Sequence, residues 1–323
     1  MRFIDAQMID SVLAYPDLVD VLGTAFGRDV IAPPRHHHSV PLEHRPTATW
    51  LLMPAISAWR GSDGALVAGP YMGIKSVTVF PDNAMRSGKP SIAGMYLLLS
   101  TETGETLAIL DATRLTAWRT AAASALAARY LARPDIQLML MVGAGTLAGF
   151  LIRAHASVRP ITEVMVWNRT RAAADALAAS FQGGPLRVRV VDDLATAARQ
   201  ADLISTATIS SEPLIHGAWL RDGTHVDSVG AYRADLRETD DALVARARVF
   251  VDTLTGAFGE AGDILQPIKA GVIDKTHVRG ELADLVSGRV TGRQTAAELT
   301  FFKSVGASLE DLAAAIAVYE QSR

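Results

Sequence analysis

Apolar residues recur at three- and four-residue intervals through Leu18, Val19, Val21, Leu22 and Phe26, a period that predicts helix from residue 1 to about 30. Ala32-Pro33-Pro34 stops it. From Thr47 to Leu110 the pattern changes to short runs rich in β-branched and aliphatic side chains: Thr49 to Met53, Val77 to Phe80, Met95 to Leu99 and Leu107 to Leu110. Glycine and polar clusters separate these runs, which predicts a meandering, largely antiparallel sheet. An Ala-rich helix is expected from about Ala112 to Ala132, ended by Pro134.

Beyond Pro134 apolar strands alternate with helical stretches. Strands are expected at Leu138 to Val142, Glu163 to Trp167, Val188 to Val191, Leu203 to Ser205, Thr224 to Val229 and Val249 to Asp252. Helices are expected at Thr146 to Ala156, Arg171 to Phe181 and Leu194 to Gln200. This alternation predicts an α/β fold with a Rossmann-type, doubly wound parallel sheet. From Thr295 onward Leu299, Phe302, Leu309, Leu312 and Ile316 keep a helical period. Closing helices have no place in the alternation, so they are expected to return to the first domain. The division expected is a discontinuous α+β domain, residues 1–120 with 295–323, and a dinucleotide-binding domain, residues 121–294.

The 323 residues suit two domains of roughly 150 each. With 31 Lys and Arg against 34 Asp and Glu, the net charge of -3 gives no sign of a nucleic-acid surface. No apolar run approaches the ~18 residues that span a bilayer, and the first residues lack the signature of a signal peptide, so a cytoplasmic protein without membrane or nucleic-acid partners is expected. The absence of cysteine removes disulfides, thiol nucleophiles and cysteine-ligated zinc. His36-His37-His38 is read as a loop cluster, since consecutive residues do not all aim at one ion, and no metal is expected.

Leu138 to Gly149 reads as strand, glycine turn and helix start. Gly143 allows the tight turn, Gly145 lets backbone N–H groups approach a pyrophosphate, and Ala148 or Gly149 permits close helix-strand packing. The second strand ends at Asn168-Arg169-Thr170, about 25 residues after Gly143, where an NAD-selective site usually carries an acidic residue. An arginine there pairs with a 2′-phosphate, which favours NADPH over NADH; the plain alternative is a solvated strand end. Three cations stand in unusual settings: Arg35 after two prolines, Lys75 in Gly73-Ile74-Lys75, and Arg119 in Thr116-Ala117-Trp118-Arg119-Thr120. Arg119, among small apolar helix residues, is expected to be at least partly enclosed, and an enclosed guanidinium needs an anion. Taken singly, each cation is read first as a surface or ion-paired charge. Gly259-Glu260-Ala261-Gly262-Asp263 reads equally as an acidic functional loop or a solvated turn.

Arg35, Leu52-Met53-Pro54, Gly73-Ile74-Lys75, Leu115 to Ala122, Gly143-Ala144-Gly145-Thr146 and Phe302-Lys303-Ser304-Val305-Gly306, in this order, resemble the ornithine cyclodeaminase and mu-crystallin family over essentially the whole chain. The resemblance implies a homodimer whose substrate and dimerisation domain joins the N-terminal half to the C-terminal helices. By it Arg35 would bind the substrate carboxylate, Lys75 would act near the reacting carbon, and Arg119 would face cofactor and substrate. Val305 and, through a one-residue insertion, Ser91 would touch substrate. Gly143, Gly145, Thr146, Leu147, Asn168, Arg169 and Thr170 would hold the dinucleotide. Thr120, Thr206, the Asp227-Ser228-Val229-Gly230 turn and Ser304 would line its nicotinamide or ribose.

Where cyclodeaminases resemble Gly-Gly-Asp-Cys-Pro-Gly-Lys, this chain has Gly230-Ala231-Tyr232-Arg233-Ala234-Asp235-Leu236. Tyr232 stands at the position of the catalytic carboxylate and Asp235 comes three residues late. The segment is similar to the reductase and mu-crystallin branch. The implied activity is NADPH-dependent reduction of cyclic imino acids, 1-pyrroline-2-carboxylate or 1-piperideine-2-carboxylate, to proline or pipecolate. An NAD(P)-dependent amino-acid dehydrogenase and a non-catalytic NADPH and small-ligand binding protein are the alternatives.

Overall fold

The computed structural model describes residues 1–60 and 63–322 and divides into two compact units, Met1–Arg119 with Ser308–Arg323, and Thr120–Ala307. The boundary falls inside helix Ala112–Leu131.

The first unit holds seven strands: β1 (Arg2–Ile4), β2 (Val30–Ile31), β3 (His36–Val40), β4 (Ala48–Arg60), β5 (Leu66–Val79), β6 (Ile92–Ser100) and β7 (Thr106–Asp111). They run in the order β1-β7-β6-β5-β4-β2, with β3 also beside β4, and only the β1/β7 pair is parallel. Two expectations are corrected here. The N-terminal stretch is not one helix, because Asp5 caps a new start by accepting from Met8 N at 2.8 Å and Pro16 opens a second helix, Tyr15–Phe26. The histidine cluster is not a loop: His36, His37 and His38 pair with Leu52, Leu51 and Trp50 of β4. Across the sheet Met53, Lys75, Tyr96 and Leu110 form one cross-strand row, and all four are buried. A lysine thus sits in the middle of an otherwise uncharged inner face.

The second unit is an eight-stranded parallel sheet of β8 (Leu138–Val142), β9 (Glu163–Trp167), β10 (Arg187–Val190), β11 (Leu203–Thr206), β12 (His225–Ser228), β13 (Arg248–Val251), β14 (Val278–Glu281) and β15 (Thr300–Lys303). Its order is β10-β9-β8-β11-β12-β15-β13-β14, so the winding reverses between β8 and β11. The predicted helix from Thr295 is replaced at its start by β15, which pairs with β12 and β13. The return to the first unit begins only with helix Ser308–Gln321. Thr300–Lys303 is buried at every position, and a strand covered on both faces shows no alternation to separate it from a helix segment. Among the described residues no helix is long and apolar enough to cross a membrane.

Phe301 lies in the core shared by β8, β11, β12 and β13 and has no exposed surface. Phe301→Ala is expected to lower unfolding free energy by about 3 to 5 kcal/mol, read as a lower urea midpoint. A loss below ~1 kcal/mol would show that β15 is not integral to this sheet.

Candidate active site

In the first unit the predicted anion of Arg119 is part of the protein. Its Nε donates to Asp311 Oδ1 at 2.9 Å and its Nη1 to Glu310 Oε2 at 2.7 Å. The other Asp311 oxygen, Oδ2, lies 2.7 Å from Lys75 Nζ, which also donates to Thr116 Oγ1 at 3.4 Å. Glu310 and Asp311 occupy the first turn of helix Ser308–Gln321 and are fully buried. Burial pushes the Lys75 ammonium down, Asp311 opposes it, and Arg119 and Arg35 add to the lowering, leaving a pKa of about 8. Burial also opposes ionisation of Asp311, but Arg119 and Lys75 outweigh it and hold that carboxyl below its ordinary value. Arg35 is half-buried just before β3, near enough for its charge to act on Lys75. Tyr96, beside Lys75 in the cross-strand row, keeps a buried hydroxyl without a hydrogen-bond partner among the described residues. Ser91 lies at the turn before β6, where its carbonyl accepts from Phe80 N. Glu310, Asp311 and Tyr96 were not anticipated from sequence.

In the second unit Gly143, with φ 103°, ends β8 at the switch point, and a Cβ there would come 2.7 Å from Ala207 O. Gly145 differs. It is exposed, and a Cβ would meet nothing of the protein within 4 Å, so packing alone does not require glycine there. The room it leaves above the loop is what a phosphate close to backbone N–H groups needs. Thr146 is exposed and Leu147 half-buried before helix Ala148–Val158. At the end of β9, Asn168 Oδ1 accepts from Ala144 N at 3.2 Å and its Nδ2 donates to Thr170 O at 2.9 Å. Asn168 therefore braces the loop. Arg169 is exposed and makes no ion pair or hydrogen bond with any described residue. Thr206, at the end of β11, keeps a buried Oγ1 without a partner among the described residues, and Thr120 is buried in its helix. These features fit a dinucleotide.

The remaining strand ends are tied by buried carboxylates that sequence reasoning did not find. Glu238 accepts from Thr208 N and Oγ1 at 2.7 Å each and from Ser228 Oγ and Gly230 N at 2.8 Å each, so it clamps the turns after β11 and β12. Gly230 is obligatory, because a Cβ would lie 2.0 Å from Thr208 O. Val229 N donates to Thr206 O at 3.0 Å. Asp227 faces inward, accepting from Ser205 Oγ at 2.7 Å with His155 Nε2 at 3.2 Å. Asp252 Oδ2 gathers Ser304 Oγ, Val305 N and Gly306 N within 2.8 Å. The Gly259-to-Asp263 segment is not a solvated turn. It joins two helices, and Asp263 is buried against Thr239 and Lys303. Asp235 is exposed and paired with Arg233, so it does not replace the carboxylate missing at half-buried Tyr232.

A parallel doubly wound sheet with a glycine cradle at its switch point defines a Rossmann-type dinucleotide-binding unit. The model of the ornithine cyclodeaminase/mu-crystallin family matches residues 42–323. The chain is 40% identical over 301 residues to a Delta(1)-pyrroline-2-carboxylate reductase of Paracoccus denitrificans, covering 91% of this chain and 92% of that protein. A solved structure of the Thermococcus litoralis Delta(1)-pyrroline-2-carboxylate reductase in complex with NADH and L-proline aligns with TM-score 0.90 at 32% identity, over 100% of this chain and 97% of the other. An archaeal alanine dehydrogenase dimer with bound NAD aligns with TM-score 0.88 at 28% identity, over 100% and 96%. The chain belongs to the ornithine cyclodeaminase/mu-crystallin family.

Glu238→Ala leaves two backbone and two hydroxyl donors without their acceptor. A loss of at least ~3 kcal/mol is expected in guanidinium unfolding; a loss under ~1 kcal/mol would mean that Glu238 does not clamp these turns.

Proposed function

We propose that this chain reduces cyclic imino acids, 1-pyrroline-2-carboxylate or 1-piperideine-2-carboxylate, to L-proline or L-pipecolate, with NADPH as the preferred cofactor. By its similarity to Delta(1)-pyrroline-2-carboxylate reductases it is an oxidoreductase of the carbon–nitrogen bond. The observation that carries the reading is Lys75: a buried lysine with a pKa of about 8 beside the charge of Arg35. One cation suits the carboxylate of an imino acid and the other suits a nitrogen whose protonation changes during reduction.

In this reading the bound cofactor supplies hydride to the imine carbon. Arg35 binds the carboxylate bidentately and fixes the ring. Lys75 handles the proton at nitrogen, and Arg119, bonded to Glu310 and Asp311, acts as a positioning residue behind it. Gly143, Gly145, Thr146 and Leu147 would cradle the pyrophosphate, Thr120, Thr206, Val229, Gly230 and Ser304 would line the ribose and nicotinamide, and Val305 and Ser91 would contribute at the substrate. The NADPH preference rests on unpartnered Arg169 and the absence of an acidic residue at the end of β9. It stands apart from the Thermococcus litoralis complex, which contains NADH. A homodimer is proposed on the family's pattern, supported by the exposed apolar side chains of Trp50, Trp59, Leu66, Val67 and Met95 on long strands. The similarity to an alanine dehydrogenase supports a second reading, an amino-acid dehydrogenase. A pure binding protein has less use for a lysine of shifted proton affinity.

The deciding assay follows NADPH and NADH oxidation with cyclic imino acids, and separately with 2-oxo acids plus ammonia. Turnover of the cyclic substrates without ammonia is expected; turnover confined to 2-oxo acids with ammonia would establish the dehydrogenase instead. Arg35→Ala should lose about 2 to 5 kcal/mol of transition-state stabilisation in kcat/KM while dinucleotide affinity changes little. Undiminished activity would remove Arg35 from the site. Arg169→Ala should weaken NADPH much more than NADH, because only NADPH carries the 2′-phosphate; equal weakening of both would end the assignment of that residue.

A further inference from the structure

Only five of the chain's 31 Lys and Arg residues are Lys, and one of them holds position 75. An arginine there would keep its charge but could not release a proton. The groups facing Lys75 come from several elements. Helix Ser308–Gln321 supplies Asp311 at 2.7 Å, with Glu310 beside it on Arg119. Helix Ala112–Leu131 supplies Thr116 and Arg119, the segment before β3 supplies Arg35, and β6 supplies Tyr96. Burial and two guanidinium groups drive the proton off this lysine, whereas Asp311 retains it. Tyr96 stays a neutral phenol, since burial raises its pKa well above the ordinary value, and contributes a dipole rather than a charge. Asp311 cannot swing away, because Arg119 holds its other oxygen and Glu310 holds Arg119.

We propose that Asp311 is a positioning residue for imine reduction: its ion pair keeps Lys75 protonated at neutral pH, so that Lys75 is the proton donor to the imine nitrogen. This rests on the imino-acid reductase reading. The imine carbon gains a hydride from the reduced nicotinamide cofactor, which is oxidised. The C=N π pair becomes an N–H bond with the proton from Lys75, and the neutral amine of Lys75 recovers a proton from water. Reduction therefore needs charged Lys75, and its kcat/KM falls as pH rises through the pKa of that lysine. Removing the negative charge of Asp311 lowers that pKa and moves the fall to more acidic pH.

The test has two readouts. With ¹³C-labelled lysine, the five Cε signals are assigned by single Lys→Arg changes and followed against pH, in parallel with reductive kcat/KM for 1-pyrroline-2-carboxylate. In the wild type Lys75 should titrate near 8, and in Asp311→Asn both its midpoint and the alkaline limb of kcat/KM should fall by about 1 to 3 pH units. Asp311→Glu, which keeps the charge, should restore much of the shift. Should the Asn variant fail to fold, the Asp311 Cγ signal of the wild type is followed instead; it should step at the Lys75 midpoint. An active enzyme in which Asn leaves both readouts unmoved, or in which Asp311 Cγ shows no step, overturns the inference. A wild type that titrates as expected but reduces no cyclic imino acid at any pH sinks the reductase reading alone.

Discussion

Two cations with almost no solvent exposure, Lys75 and Arg119, set the terms for the first unit. An unpaired charge in such a place costs several kcal/mol, and their mutual repulsion adds to it. Asp311 answers both cations and Glu310 answers one, so none of the four residues is tolerable without its partners. Because both carboxylates belong to residues near the end of the chain, the last helix has to pack on the same unit as β5. Their place in its first turn serves the helix as well, since acidic groups there complement the positive end of its dipole.

The second unit uses buried carboxylates differently. Glu238 and Asp252 accept from backbone N–H groups and hydroxyls near strand ends and so fix turns; Asp263 does the same and also balances buried Lys303. Among the described residues, no partner meets the Thr206 hydroxyl or the Arg169 guanidinium near the carboxyl ends of these strands, and no protein atom comes close above Gly145. The residues that shape the cradle and those that would touch a cofactor are therefore largely different sets. Asn168 shows the distinction most clearly. It occupies a ligand position in the family pattern, yet both ends of its amide are engaged by the loop.

Much of this was legible in the sequence wherever period and punctuation agree. Leu138 to Val142 followed by Gly143 predicts strand and turn with their actual boundaries, and the enclosure of Arg119 follows from its small neighbours. Its partners were not legible, because Glu310 and Asp311 read as ordinary first-turn acids of a C-terminal helix, and sequence does not say which turn is buried. Thr300–Lys303 was misread because a strand buried on both faces has no period. His36-His37-His38 was misread because an exposed strand beside β4 needs only backbone pairing, not an apolar alternation. Glu238 lay in a stretch of charged residues, where long-range clamping of two turns leaves no local pattern.

The charge count around Lys75 also bears on when its proton is held. Lys75, Arg119 and Arg35 bring three positive charges, while Glu310 and Asp311 bring two negative ones. Burial does most to lower the proton affinity of Lys75; among the charges Asp311 raises it, while Arg119 and Arg35 lower it. On the proposed reading, a substrate carboxylate taken by Arg35 would offset the lowering effect of that guanidinium, so binding itself would charge the lysine more fully. In the proposed reaction, reduction would then consume that proton at the imine nitrogen. Proton delivery would thereby be coupled to occupancy of the site by an anion, since the same guanidinium that disfavours the charged lysine is the one the carboxylate would answer.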